Sequence, residues 1–428
     1  MQVPGFIPRV VRTHVPLLLL LPSVALAVVP RPAKAADDWT AEIRALLVQR
    51  ASLTTPVSIA VLVRSAREHG FNTLLVQVRG RGDAYFNEGL EPRAADLQRQ
   101  PATFDPLAAV LDAAHSAGLR VHAWVNLNLI ASAADLPIAR EHLVHRHPDW
   151  LMVPRDVAQE LARIPTDSPA YLGKLARWTR AQSEEVEGLY VSPVIPAAAE
   201  YALNVVRDLA KRYAVDGVHF DYAGYPSERF DYSRPAIAEF RASVRQRLSD
   251  VVRRGLDERE SIDLFAYPDT LPDDWRAFRI SRLTILVNQL RSAVKTERRA
   301  ALVTVATAPD LRDAYDRRLQ DWGTWLDKGL VDAVCPKAYT PDAGRFAEQI
   351  AAARTVAGGR AVWAGIGADQ LAPAQTIENI QTARRLGAAG VVLFSYDRLT
   401  DPQHSSPDYL AVVGRAVFAD PASNPESR

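Results

Sequence analysis

Along the chain, short apolar runs alternate with longer stretches in which apolar residues recur at helical spacing. Runs of four to eight residues rich in Val, Leu and Ile, bounded by Gly, Pro or Asp, predict strands buried on both faces. They fall at residues 73–78 (TLLVQV), 120–126 (RVHAWVN), 188–191, 216–221, 301–306 (ALVTVA), 332–336, 361–366 (AVWAGI) and 390–395 (GVVLFS). Residues 106–117, 197–214, 344–356 and 373–386 carry the period of amphipathic helices. In the second of these, Tyr201, Val205, Leu209 and Tyr213 share one face.

Strands alternating with helices predict an α/β fold with a parallel sheet, and eight strands are the number that closes a (β/α)8 TIM-type barrel. Two connections are much longer than usual: residues 126 to 188, after the second predicted strand, and 221 to 301, after the fourth. They are read as long insertions after strands 2 and 4, on the face where such barrels build their sites. An open doubly wound sheet is the competing architecture, but no glycine-rich phosphate loop follows the first predicted strand.

The strands are not uniformly apolar. His122, Trp124 and Asn126 alternate with Val121, Ala123 and Val125, and Gln77 and Arg79 share a face at the end of the first predicted strand. In "VDGVHFDYAGYP", residues 215–226, His219 and Asp221 alternate with Val218 and Phe220 before Tyr222. Lys337 and Tyr339 follow the sixth predicted strand, and Tyr396 follows the eighth. Side chains alternate across a strand, so each polar set faces one way. The aliphatic set belongs against the helices, which leaves the polar set lining the barrel axis towards the carboxyl ends of the strands. Polar and aromatic groups at four or five strand tips form a mixed cup suited to a sugar, with rings for its C–H faces and amides for its hydroxyls.

Composition narrows the reading. The 428 residues carry a net charge of +1, which makes neither nucleic acid nor an anionic membrane the main partner. Arg9 and Arg12 precede an apolar run at residues 15–29 and then Ala33-Lys34-Ala35, the plan of a secretory signal peptide. The run is short for a membrane span and is broken by Pro16 and Pro22. The expected organisation is a signal peptide at 1–35, a barrel domain at 36–419 and a disordered tail at 420–428. The protein would be periplasmic or secreted, with no stable membrane span after cleavage. Cys335 is the only cysteine, so no intrachain disulfide forms.

The segment at 215–226 resembles the D-G-[IV]-H-[LF]-D-Y-x-R-Y-P signature of the glycosyl-hydrolase-like family 10 barrels. "FNTLLVQVRGRGDAYF" (71–86), "VHAWVNLN", "HPDWL" and "WLDKGLVDAVCPKAYT" (325–340) are similar to further segments of that family, in the same order. The resemblance implies a TIM-type barrel acting on glycans, some members being similar to hydrolases of peptidoglycan strands that lack peptide stems. It carries over Asp221, His219, Arg79, Asp83, His122, Trp124 and Asn126. Two positions depart from the pattern: Gly224 stands where the family often has Arg, and Lys337 where Met or Gln is common.

Glycoside hydrolysis uses two carboxyl groups flanking the bond. Asp221 is the first choice for nucleophile or base, and the alternative is a bond to its own loop. Asp310, Asp83 and Glu228 are candidates for the acid; Asp83 serves equally well as a turn residue. Substrate contacts are expected from Gln77, Arg79, His122, Trp124, Asn126, His219, Tyr222, Lys337, Tyr339 and Tyr396, with core packing the alternative for the aromatic ones. Paired histidines on one strand are absent, so no metal and no cofactor is expected. Two functions remain open: an exported glycoside hydrolase working by carboxylate acid/base chemistry on a bacterial glycan such as peptide-free peptidoglycan strands, and a non-catalytic glycan-binding barrel.

Overall fold

The computed structural model describes residues 1–2 and 42–418. The chain divides into two units, residues 1–40 and 41–428, and the account below concerns the second. Apart from its first two residues, the expected signal peptide lies outside the described residues, as does the tail at 420–428.

Ten strands form: β1 (Ile43–Val48), β2 (Thr73–Arg79), β3 (Arg120–Asn126), β4 (Leu129–Ala131), β5 (Leu189–Tyr190), β6 (Gly217–Asp221), β7 (Leu302–Thr307), β8 (Ala333–Pro336), β9 (Ala361–Ile366) and β10 (Gly390–Leu393). Eight of them close a parallel barrel in the order β1-β10-β9-β8-β7-β6-β3-β2. Helices run between the staves, and many start with Pro in the first turn, where the missing N–H costs nothing. The first, Pro56–Glu68, is held by a capping box between Thr55 and Ser58.

The expected strand at 188–191 is not a barrel stave. Its centre is β5, which pairs antiparallel with β4 in a separate ribbon. Gly188 makes the ribbon possible, since a Cβ there would stand 2.1 Å from the Ala131 carbonyl oxygen. The eighth stave is β1, a fully buried run that shows no alternation and carries Arg44 within it. That charge is accommodated by Glu42, 3.2 Å away, and by the ring of Phe418. The two long connections therefore follow the third and fourth staves, β3 and β6.

The outward faces of the staves join the helices in the main core. Val121, Ala123, Val125, Val218 and Phe220 all belong to it. The inward faces stack in tiers. His122 pairs with Gly217, Trp124 with His219 and Asn126 with Asp221 across the β3–β6 register, and His219 is level with Thr304 of β7. The lowest tier depends on glycine: a Cβ at position 217 would lie 2.5 Å from His122 Nδ1 and Cε1.

The two long connections share a second core. Leu143, Trp150, Leu161, Tyr171 and Ile195 from the first pack with Ile237, Phe240, Tyr267 and Trp275 from the second. Arg155 of the first forks onto Asp269 of the second at 2.7 and 2.8 Å. Among the described residues no helix is long and apolar enough to cross a membrane.

Gly217→Ala should lower stability by about 1–3 kcal/mol, because the methyl group has no room beside the imidazole. Gly255→Ala, in the helix Asp250–Glu260 with nothing within 4 Å of the added methyl, should raise it by up to about 1 kcal/mol. Denaturant midpoints of the two variants test the pair, and a neutral Gly217→Ala would contradict the tight tier.

Candidate functional site

The strand tips converge on a cavity of about 270 Å³ at the carboxyl-terminal mouth of the barrel. Asp221, the last residue of β6, lines it and is only 7% exposed. Lys337, just beyond β8, reaches across and donates to Asp221 Oδ1 from 3.1 Å. The same oxygen accepts the Tyr222 backbone N–H at 2.7 Å. Burial pulls the Lys337 ammonium down, but the charges of Asp221 and Glu187 more than offset it and hold it above the ordinary lysine value.

Tyr222 turns the chain out of β6 with φ of +52°, a left-handed conformation costly for an aromatic residue. The turn places its ring under the Lys337 ammonium, 4.9 Å from the centroid, with Tyr190 at its edge. Its hydroxyl donates to Glu187 Oε2. Burial first, then the charges of Asp221 and Glu187, push the phenol well above its usual value, so it stays a donor. Lys337, Asp221, Tyr222 and Glu187 thus form one connected series across the mouth, and Asp221 and Glu187 are two carboxyl groups on one cavity. Tyr339 completes the wall, stacked on Phe394 at 5.4 Å.

A second lobe of about 440 Å³ lies on the other side of Tyr222 and Glu187, which line both lobes. Gln77 and Asn126 belong to it, with Arg50, Arg81 and Asp96. Asn126 is held in place, accepting Trp124 Nε1–H at 2.9 Å and donating to the Gly80 carbonyl at 2.8 Å.

Of the residues singled out in the sequence, Asp221, Tyr222, Lys337 and Tyr339 meet in the first lobe and Gln77 and Asn126 in the second. The others stand elsewhere. Arg79 is buried and committed to the fold: it forks onto Glu91 at 2.7 and 2.8 Å and donates to the carbonyls of Asn126 and Leu127. Asp83 accepts the Arg81 backbone N–H within its own turn, and exposed Asp310 accepts that of Asp313. Neither carboxylate lines a lobe; Asp313 lines the first in place of Asp310. Glu228 is exposed and faces Arg317. Tyr396 is buried in the main core. Trp124 supports Asn126 from below.

The two histidines lie beneath the cup. His219 Nδ1 is hydrogen-bonded to Thr304 Oγ1 at 2.9 Å. His122 is fully buried, faces Trp363 and has no hydrogen-bond partner on either ring nitrogen among the described residues. Burial pushes His122 down to about 3, helped by the neighbouring His219. Burial likewise pushes His219 down to about 4 against the pull of Asp221. Both are neutral at physiological pH and neither lines a lobe. No group of three metal-ligating side chains occurs among the described residues.

Three charged groups of the first lobe were missed in the sequence: Glu187, Asp313 and Arg318. Glu187 is the third glutamate of "EEVEGLYV" and nothing in that run separates it from its neighbours. Only the ribbon, turned by Gly188, brings it to the mouth.

A closed parallel barrel with its polar groups gathered at the carboxyl-terminal mouth is a TIM barrel, and its neighbours among solved structures are TIM-barrel glycoside hydrolases. The PgaB (BpsB) glycoside hydrolase domain from Bordetella bronchiseptica superposes with a TM-score of 0.59 at 16% identity, over 87% of this chain and 98% of that one. A β-galactosidase from Rahnella sp. R3 gives 0.60 at 16%, over 91% and 57%. These likenesses establish the fold. The chain belongs to the glycosyl hydrolase-like 10 family, whose model matches residues 39–360. It is 22% identical to glycosyl hydrolase YngK of Bacillus subtilis over 65% of this chain and 48% of that one. It is 24% identical to glycosyl hydrolase DigH of Escherichia coli K12 over 64% and 55%. The chain therefore spans about half the length of the curated relatives it matches.

The neutral histidines make stability acid-sensitive. Once unfolded, each binds a proton near its ordinary value of 6.5. Their contribution is full above pH 6.5 and is lost as pH falls towards 4, at up to about 1.4 kcal/mol per pH unit for each. His219→Gln should therefore lose about 2–3 kcal/mol less than wild type between pH 7 and pH 4.5. Urea unfolding at the two pH values measures the difference, and equal losses would show that His219 is not held neutral.

Proposed function

We propose that the protein is a glycoside hydrolase exported to the periplasm or medium, cleaving glycosidic bonds of a bacterial glycan, peptide-free peptidoglycan strands being the favoured substrate. The observation that carries the reading is the salt-bridged Asp221 opening onto a cavity that Glu187 also lines. The signal-peptide pattern supports export, and the family resemblance supports the choice of glycan.

In this reading the sugar on the leaving side of the bond lies towards Glu187 and the reacting ring lies over Asp221. Glu187 delivers a proton to the departing glycosidic oxygen as the C1–O bond breaks. Asp221, fixed by Lys337 and the Tyr222 amide, faces the positive charge that develops on the ring and acts as nucleophile or as base for water. Water supplies the hydroxyl at C1; its other proton passes to Glu187 where Asp221 is the nucleophile, or to Asp221 where Asp221 is the base, Glu187 then being reprotonated through solvent as Asp221 gives its proton up. Tyr222 positions both groups, its backbone bound to one and its hydroxyl to the other. Tyr190, Tyr222 and Tyr339 offer ring faces to the sugar.

Release of new reducing ends from purified peptide-free strands should be readily measured for wild type and fall by at least about 10³-fold in Asp221→Asn. Glu187→Gln should lose about 10²-fold or more. Asp221→Asn also strands Lys337, so rates are compared per folded molecule, with near-ultraviolet circular dichroism as the reference. Retention of strands in a pull-down without new reducing ends from wild type would establish the non-catalytic glycan-binding barrel instead.

A further inference from the structure

The second lobe holds recognition groups that the fold leaves unused. Gln77 is 8% exposed, lines the lobe and makes no side-chain hydrogen bond among the described residues. Gly80 separates it from Arg50: a Cβ at position 80 would stand 2.5 Å from Arg50 Nη1 and 3.2 Å from Gln77 Oε1. The amide and the guanidinium therefore converge on one point of the wall. Arg81 lines the same lobe, and its guanidinium closes no ion pair or hydrogen bond among the described residues. Asp83, Asp135 and Asp96 lie within its field without pairing with it. Arg50 is 3.9 Å from Asp96, whose carboxylate also takes the Tyr85 hydroxyl. Burial and the like charge of Arg50 pull Arg81 below the ordinary arginine value.

Two guanidinium groups kept close in a half-enclosed lobe, beside an unpaired buried amide, form a receptor for an anion carried on a hydroxyl-rich group. Asp96 and Glu187 also stand on the walls; with Glu187 carrying the proton it donates in the hydrolase reading, two guanidinium groups face one carboxylate, and the single positive charge left over matches a carboxylate better than a dianionic phosphate. We propose that this lobe is a subsite for a sugar bearing a carboxylate, held by Arg81 and Arg50, with Gln77 bonding a hydroxyl or acylamino group of the same sugar. The inference rests on the first lobe being the cleavage centre. It adds that recognition depends on the carboxylate of the glycan and that the charged sugar sits across Tyr222 from Asp221.

The test compares peptide-free peptidoglycan oligosaccharides, whose alternate sugars carry an ether-linked carboxylate, with the same chains after reduction of the carboxyl groups to alcohols. Reduction should lower kcat/KM about tenfold or more, mainly through KM, in line with the loss of one charge-assisted pair. Arg81→Gln should collapse that preference towards one, and Arg81→Lys should keep part of it. Calorimetry with the Asp221→Asn variant reads binding alone, using the two forms and oligogalacturonides, whose carboxylate is on the ring. Tight binding of one carboxylated probe over the reduced chain identifies the kind of carboxylate taken. Equal handling of carboxylated and reduced chains, or a preference untouched by Arg81→Gln, overturns the subsite while leaving the hydrolase reading intact. Carboxylate-dependent binding without cleavage of any glycan does the reverse.

Discussion

The salt bridge between Asp221 and Lys337 is the constraint around which the mouth of the barrel is arranged. A largely buried carboxylate is tolerated only when its charge and lone pairs are met. Lys337 balances the charge and, with the Tyr222 amide, satisfies Oδ1, while Oδ2 has no partner among the described residues. The two partners sit on staves separated by β7, so their meeting requires a closed barrel with the observed register. In the tiers below Asp221 the inward residues of β3 and β6 carry no charge: His219 leans on Thr304, and His122 lies against Gly217 and Trp363. Polarity therefore increases towards the carboxyl ends, and the ionised groups stand where a ligand can reach them.

The barrel alone does not complete the cup. Glu187 and Tyr190 come from the ribbon after β3, which is docked by the second core that both long connections build. Arg79 serves the same end from below. Its fork onto Glu91 and its bonds to the Asn126 and Leu127 carbonyls fasten the tips of β2 and β3, the point from which that ribbon departs. A buried ion pair of this kind is weak evidence of net stability, but it fixes geometry, and losing one partner leaves an uncompensated charge.

The sequence made the architecture legible because parallel staves write themselves as bounded apolar runs, and seven of the eight were found that way. The eighth, β1, escaped because Arg44 interrupts its apolar run. The ribbon strand at 188–191 took its place in the count, since a short apolar segment carries no mark of its pairing partner. Inward polar residues were legible as a set from alternation. Which of them reach the cavity was not, because height along the barrel axis depends on stagger between staves. His122 and His219 thus share a face with Asn126 and Asp221 yet lie one or two tiers lower. Glu187, Asp313 and Arg318 are positioned by loops, where no periodicity applies.

Gly224 shows how such a site absorbs a departure from its family pattern. No side chain fits there easily, since a Cβ would lie 3.0 Å from Gln320 Cγ and 3.1 Å from the Arg318 carbonyl oxygen. Gln320 fills the space and donates to the Ala223 carbonyl at 2.8 Å, while Asn128 donates to the Gly224 carbonyl at 3.0 Å. The loop after β7 is thereby drawn over the start of the loop after β6. It brings its own guanidinium: Arg318 lines the first lobe, tethered to the Pro226 carbonyl at 2.6 Å. The glycine and the arginine are two sides of one arrangement. The small residue lets the neighbouring loop approach, and that loop supplies a positive charge to the cavity. Absence of an arginine from position 224 is therefore no measure of how cationic the cup is, because its charge is set by which loops can pack together above the staves.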